Sequence, residues 1–223
     1  HSFPTRRSSD LQTMPEKIME SRLVLTAKPL EPHEVEPARQ EGLLLDRQPG
    51  DLEGEPCKAK ARHVMKGYSE EGADEIEAAT PQVTREGTLT VAQLIASFCW
   101  RLGFLDFTQA FHSGDRIQRT IYATQPREGI PGLSPAQLLK LEKVCYGLTD
   151  GPLAWFLHLQ KFPTTKLGYR QSLADPCIYY KINKNGSLSG LIAVATDDLL
   201  HGGDEEHLEA MAEIRKHYKL GKY

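Results

Sequence analysis

The 223-residue sequence predicts an α+β fold built on an antiparallel sheet, with helices packed on one side of it. Strand-like and helix-like segments alternate along the chain, and most of the predicted strands are joined by hairpin-like links. Asn185-Gly186 lies between two apolar runs and is the strongest short hairpin signal in the sequence. A hydrophobic content of 39% and a charged content of 26% are ordinary for a globular protein, so we expect a packed core.

The N-terminal residues His1–Leu11 look like the translated read-through of a sequencing-library adapter. The alternative is a genuine disordered arm. Both interpretations predict that this segment packs against nothing.

Two alternating segments, Ser21–Ala27 and Lys60–Met65, are predicted to pair as a hairpin with an unusually long connection. The connection begins with the proline-containing and acidic stretch Pro29–Pro37, which we expect to form a loop. Thr88 is then predicted to cap a helix over Leu89–Arg101, which Gly103 ends. Its buried side is expected to carry Leu94, Ile95 and Phe98.

Further strands are predicted at Phe104–Phe107 and Ile117–Thr124, with a loop over Gln125–Pro135. A helix follows from Pro152, and Pro163 is expected to kink or end it. Its apolar residues have helical spacing: Trp155, Phe156, Leu159 and Phe162.

The last hairpin is predicted to join Cys177–Ile182 to Leu188–Val194. Asp204 then begins an amphipathic helix. The residues expected on its inner side are Leu208, Met211 and Ile214.

The charge and cysteine patterns limit the classes of function. A net charge of −3 argues against a generic nucleic-acid binder, although Lys58, Lys60, Arg62 and Lys66 form a local basic stretch. That stretch is either an anion site or a solvated strand face. The apolar runs are too short for a membrane span, and the four scattered cysteines predict a reducing compartment without structural zinc.

Carboxylates interrupt apolar segments at two places, Asp106 and Asp197-Asp198. Taking an unpaired carboxylate out of water costs several kcal/mol, so such groups normally bind a cation or a hydrogen-bond donor. On neighbouring strands they would form an oxygen-donor site suited to Mg²⁺. A solvated bend is the alternative for the Asp-Asp pair.

Five segments in order resemble motifs of copia-type LTR retrotransposon reverse transcriptases. KARHVMKGY at Lys60–Tyr68 is similar to the fingers motif KARLVxKGF, and LDFTQAF at Leu105–Phe111 resembles the catalytic strand LDVKxAF. YGLTDGPLAW at Tyr146–Trp155 resembles YGLKQxPRAW, DPCIY at Asp175–Tyr179 matches DPCLY, and ATDDLL at Ala195–Leu200 resembles YVDDLL. The resemblance covers most of the chain.

The resemblance implies an RNA-directed DNA polymerase with a two-metal site. Asp106 and Asp197 would hold two Mg²⁺ ions, with Mn²⁺ as an alternative, and Asp198 would support them. Lys60 and Arg62 would bind the incoming triphosphate, the alternative being a charged strand edge. Phe111 would exclude a 2′-hydroxyl, the alternative being an ordinary core phenylalanine.

The resemblance also implies a domain layout and partners. Residues 12–88 and 116–150 would form the fingers, and residues 89–115 and 151–223 the palm, ending before the thumb. The partners would be an RNA template, a DNA primer and deoxynucleoside triphosphates. The thumb, RNase H and integrase of the same Pol polyprotein would also be partners. The resemblance implies a cytoplasmic particle and no membrane.

The sequence departs from the family pattern at several positions. Ala195 replaces the box tyrosine, Thr108 replaces a lysine, and YGLTDGPL replaces YGLKQxPR. No metal ligand is lost. These departures leave a second hypothesis open, a catalytically degenerate palm remnant that at most binds nucleic acid.

Overall fold

The computed structural model describes residues 5–6, 18–42, 44, 56–108 and 110–221. The chain divides into two compact units and passes between them more than once. The first unit comprises His1–Glu71 and Thr120–Leu141, and the second comprises Gly72–Arg119 and Glu142–Tyr223. Among the described residues, no helix is both long enough and apolar enough to cross a membrane.

The first unit contains the predicted long hairpin. Strands β3 (Ser21–Pro29) and β4 (Cys57–Met65) pair antiparallel along their whole length, which confirms the prediction. The loop predicted at Pro29–Pro37 is wrong, because helix α1 occupies Pro32–Gln40. Glu31 and Glu34 form a reciprocal capping box, and a proline in the first turn costs no hydrogen bond. A 3₁₀ turn follows β4 at Gly67–Ser69.

A second sheet contains four strands among the described residues. They are β1 (Thr5–Arg6), β2 (Ile18–Met19), β6 (Arg116–Ala123) and β7 (Leu138–Lys143), in the order β1-β7-β6-β2. Strand β6 was predicted and β7 was not. Because Thr5–Arg6 pairs with Leu138–Leu139, the prediction that the N-terminal segment packs against nothing is wrong for these two residues; the rest of His1–Leu11 lies outside the described residues.

The second unit is built on an antiparallel sheet of five strands, as far as the structure describes the chain. They are β5 (Gly103–Asp106), β8 (Arg170–Gln171), β9 (Ile178–Ile182), β10 (Leu188–Ala195) and β11 (Asp198–Gly203), in the order β5-β11-β10-β9-β8. The predicted β9–β10 hairpin is confirmed, and Gly186 provides its positive φ of 86°.

Helices cover both faces of this sheet, so the prediction of helices on one side is wrong. Helix α2 (Arg85–Ser97) packs Val91 and Ile95 against Leu191 and Ala193. Helices α4 (Gly151–Lys166) and α5 (Glu205–His217) pack against the opposite face, on a cluster that includes Ile192 and Val194. Successive side chains of a strand point to opposite faces, and β10 is apolar on both.

Helix α2 begins four residues before the predicted start. Thr84, not Thr88, is the N-cap, and its Oγ1 accepts a hydrogen bond of 2.9 Å from the Gly87 N–H. The helix ends at Ser97, long before Gly103, and Phe98 is 48% exposed instead of buried. Val91 takes the inner position that the sequence prediction gave to Phe98.

The other two long helices also differ from prediction in detail. Pro163 was predicted to kink or end helix α4; the helix does not end there, because it continues to Lys166. Asp204 does cap α5, and Met211 and Ile214 are buried as predicted. Leu208 is 49% exposed, and His207 occupies the inner position beside it.

Candidate active site

The two predicted carboxylate positions meet on adjacent antiparallel strands. Asp106 is the last residue of β5, Asp198 is the first residue of β11, and their Cα atoms are direct cross-strand partners. The Phe107 N–H donates to the Asp197 carbonyl oxygen at 2.9 Å. The predicted side-by-side placement is therefore confirmed, with Asp198 as the direct neighbour of Asp106 and Asp197 in the bend.

The bend that carries Asp197 is strained. Ala195 pairs with Asp198, so Thr196 and Asp197 form a two-residue hairpin loop. Thr196 has a φ of 56°, in the left-handed region that β-branched residues rarely adopt. The primed turns that suit a tight hairpin require such an angle. Strain of this kind persists only where the surroundings hold it, and it is common at active sites.

Trp155 of α4 holds this bend through a hydrogen bond to its main chain. Its indole Nε1–H donates to the Thr196 carbonyl oxygen at 2.8 Å, and its side chain is buried. The ring also contacts Phe107 edge to face, with centroids 5.4 Å apart. Above the sheet, the Thr196 hydroxyl donates to Gln82 Oε1 at 3.2 Å. Neither hydrogen bond was predicted from the sequence; the need of a buried indole N–H for an acceptor was the available signal for Trp155.

The C-terminal residues Lys219–Gly221 run along the other edge of β5. The Thr108 N–H donates to the Lys219 carbonyl oxygen at 2.9 Å, and the Gly221 N–H donates to the Asp106 carbonyl oxygen at 2.8 Å. Phe107 and Leu220 form an antiparallel bridge between these two bonds. The main chain around Asp106 is thus held by hydrogen bonds on both sides.

Burial at the aspartates differs from the sequence expectation. Asp197 and Asp198 are exposed, because the hairpin bend projects at the end of the sheet, and Asp106 is half-buried. The expectation that carboxylates in these apolar segments are taken out of water is therefore wrong for Asp197 and Asp198. Among the described residues, no three His, Cys, Asp or Glu side chains are grouped closely enough to hold a metal ion by themselves.

The donor chemistry at this edge nevertheless fits a hard divalent cation. Side chains of cross-strand partners lie on the same face, and like charges directly opposite each other destabilise a sheet. A cation beside Asp106 and Asp198 relieves that repulsion. Mg²⁺ sites commonly use one or two protein carboxylates and complete their coordination with water and substrate phosphates.

Phe111 lies in the short helix α3 (Ala110–Ser113) that follows β5. It is half-buried, packs against the core of the second unit and contacts Tyr146 edge to face, with ring centroids 5.2 Å apart. This packing is by itself a sufficient reason for an aromatic residue at position 111, with no contact to a substrate needed. The sugar-excluding role stays a prediction.

Lys60 and Arg62 belong to β4 in the first unit. They occupy the same face of that strand, opposite Thr26 and Val24 of β3. Lys60 is exposed and Arg62 is half-buried. Triphosphate binding by these two residues also stays a prediction.

Two acidic residues in or near the motif segments, Asp150 and Asp115, form ion pairs. Asp150, which stands where the family motif has glutamine, pairs with both terminal nitrogens of Arg119, one of them at 3.0 Å. Asp115 accepts hydrogen bonds from Lys161 at 2.5 Å and from His158 at 3.0 Å. The pKa of Asp115 is lowered, first by the Lys161 bond and then by the His158 bond.

Comparison with known proteins assigns the family. The family model described as reverse transcriptase (RNA-dependent DNA polymerase) matches residues 48–223. The "Retrovirus-related Pol polyprotein from transposon TNT 1-94" of Nicotiana tabacum is 32% identical over 66% of this chain and 11% of its own length. The "Retrovirus-related Pol polyprotein from transposon RE1" of Arabidopsis thaliana is 28% identical over 68% of this chain and 10% of its own length. The chain thus spans about a tenth of these relatives, and it belongs to the reverse transcriptase (RNA-dependent DNA polymerase) family.

Proposed function

We propose that this chain forms the fingers and palm of a copia-type retrotransposon reverse transcriptase, which copies RNA into DNA by two-metal nucleotidyl transfer. The observation that carries the proposal is the cross-strand pair Asp106 and Asp198 beside the strained bend at Asp197. The matched family and the Pol polyproteins among the relatives support the same reaction.

In the proposed reaction, the carboxylates of Asp106, Asp197 and Asp198 supply the protein oxygen ligands. Two Mg²⁺ ions, or Mn²⁺, supply Lewis-acid activation of the primer 3′-hydroxyl and neutralise the triphosphate. Trp155 and Gln82 fix the Asp197 bend through Thr196, so that the bend carboxylates are in place before substrate binds. Phe111 restricts the space beside the sugar of the incoming nucleotide.

We propose that the second compact unit is the palm and the first is the fingers. The second unit contains all three aspartates and the five-stranded sheet of the described chain. The second unit begins at Gly72, so we propose that the palm begins there and includes the whole of α2, instead of beginning at residue 89. Lys60 and Arg62 then lie in the fingers, where we propose that they bind the triphosphate as point charge and planar fork.

Primer extension on an RNA template tests the proposal. The enzyme in this assay is the longer polyprotein that we propose contains this chain. We expect extension that requires Mg²⁺ or Mn²⁺ and is abolished in Asp106→Asn. Glu209→Gln is the matched control, since it removes one charge from an exposed position of α5. Absence of extension at millimolar Mg²⁺, with a melting temperature indifferent to the ion, would establish the degenerate remnant instead.

A further inference from the structure

Gly221 lies directly against the carboxylate of Asp106. A Cβ atom placed on Gly221 would be 2.3 Å from Asp106 Oδ2 and 3.2 Å from its Cγ, and these are the two nearest atoms. The φ of Gly221 is outside the left-handed region, so the backbone conformation there does not require glycine. The Asp106 carboxylate, in the place it now occupies, leaves no room for a Cβ atom at this position.

The close approach follows from the way the C-terminal segment pairs with β5. The Gly221 N–H bonds the Asp106 carbonyl oxygen at 2.8 Å, which fixes the Gly221 backbone beside this residue. On the other side of Asp106, β11 is fixed in register by the Asp198 pair. The carboxylate therefore stands between two main chains that hydrogen bonds hold in place.

We propose that Gly221 is a positioning residue for the proposed reaction: its bare backbone sets where the Asp106 carboxylate lies, and hence how that carboxylate presents its oxygens to metal ions. The inference rests on the proposed function of Asp106. The backbone of Gly221 is accordingly a wall of the proposed active site as well as part of the edge of the sheet.

The size of the effect follows from the distances. An ordinary contact between a methyl carbon and an oxygen begins at 3.4 Å, so an alanine at 221 displaces Asp106 Oδ2 by about 1 Å from its place 2.3 Å away. A misplacement of about 1 Å at a reacting centre costs about 100-fold in rate. Because the displaced atom is the end of a flexible side chain, the backbone need not move and the fold should tolerate the change.

The experiment compares Gly221→Ala with the parent and with Lys219→Ala, whose exposed side chain is truncated while its main-chain bond to Thr108 stays. Mn²⁺ binding to the chain is measured by electron paramagnetic resonance, and primer extension is measured in the polyprotein against Mg²⁺ concentration. We expect Gly221→Ala to bind Mn²⁺ more weakly, to need more Mg²⁺ and to extend primers about 10–100-fold more slowly. Lys219→Ala should match the parent.

The outcomes separate this inference from the proposed function. A parent that neither binds Mn²⁺ nor extends primers contradicts the proposed function. An active parent whose Gly221→Ala variant has the same metal affinity overturns the inference alone, whatever the rate of that variant.

If Gly221→Ala destabilises the protein, the same substitution in an Asp106→Ala background shows whether the Asp106 carboxylate is the cause. If the carboxylate is the obstacle, the loss of melting temperature disappears there, because the remaining Asp106 Cβ is 3.5 Å away, an ordinary contact. A loss that persists in this background overturns the inference.

Discussion

The hydrogen bond from Trp155 to the Thr196–Asp197 bend can be removed with little change of shape. Trp155→Phe keeps an aromatic ring beside Phe107 but has no donor for the Thr196 carbonyl oxygen, which Trp155 now bonds at 2.8 Å. The bend then loses the hydrogen bond that helps to hold Thr196 in its strained backbone conformation. We expect both stability and activity to fall.

The cost of Trp155→Phe has two parts, the unpaired carbonyl and the smaller buried ring. A partly buried carbonyl left without its donor costs about 1 kcal/mol, the lower end of the range for buried groups. Besides its nitrogen, the indole has two more ring carbons than a phenyl group, and burying them contributes about 2 kcal/mol at roughly 0.8 kcal/mol per carbon. The sum, about 3 kcal/mol, is a large part of a typical stability of about 5–15 kcal/mol.

Urea unfolding and primer extension measure the two effects. Trp100→Phe is the matched control, because Trp100 is half-buried and stacks on Phe98, with ring centroids 4.6 Å apart, at the end of α2. We expect Trp155→Phe to lose about 3 kcal/mol and more than tenfold in rate, and Trp100→Phe to lose less of both. Equal losses in the two variants would refute the role assigned to the indole N–H.

Three further predictions concern other parts of the second unit. Phe111→Val should raise the incorporation of ribonucleotides relative to deoxynucleotides in primer extension, and unchanged discrimination would leave Phe111 a packing residue only. A double-mutant cycle on Arg119 and Asp150, each changed to Ala, should give a coupling of about 1–3 kcal/mol in urea unfolding, since the pair is bidentate and half-buried; a coupling near zero contradicts this. Burial lowers the pKa of His201 to about 4 and of His207 to about 3, so both are neutral in the folded chain. As the pH decreases, the two histidines take up protons in the unfolded chain before they do so in the folded chain. The free energy of unfolding should therefore have its highest value above about pH 6.5 and fall as the pH decreases toward 4. A free energy of unfolding that is independent of pH over that window contradicts this burial.

The parts of the fold that the sequence predicted are those with strong local signals. The β9–β10 hairpin has Asn185-Gly186, and Asp204 is a side-chain N-cap that marks the start of α5. The aspartate site was predicted for a different reason. Asp106 and Asp198 are far apart in the chain, so the resemblance to a family, and not any local pattern, brought them together.

The errors arose where tertiary contacts outweigh local preference. Thr84 and Thr88 are equally good caps by residue type, and Asp175 decides between them by accepting hydrogen bonds from the Thr84 N–H at 2.9 Å and hydroxyl at 3.0 Å. Pro32 suggested a loop, although a proline in the first turn of a helix is well tolerated, and α1 also continues through Pro37. The bond from Trp155 to Thr196 joins two motif segments; a buried indole N–H implies an acceptor, but neither segment indicates which one.

We propose that the carboxylates at the β5–β11 edge are metal ligands of a polymerase. The most direct measurement is the rate of single-nucleotide incorporation by the Asp197→Asn polyprotein, with the melting temperature of the same variant in EDTA. Asparagine keeps the shape and removes one anionic ligand, and each 1.36 kcal/mol of lost transition-state stabilisation is about tenfold in rate. We therefore predict a rate lower by about 1000-fold or more, with a melting temperature equal to that of the parent or slightly higher. An Asp197→Asn protein that incorporates nucleotides at the parental rate would contradict the account.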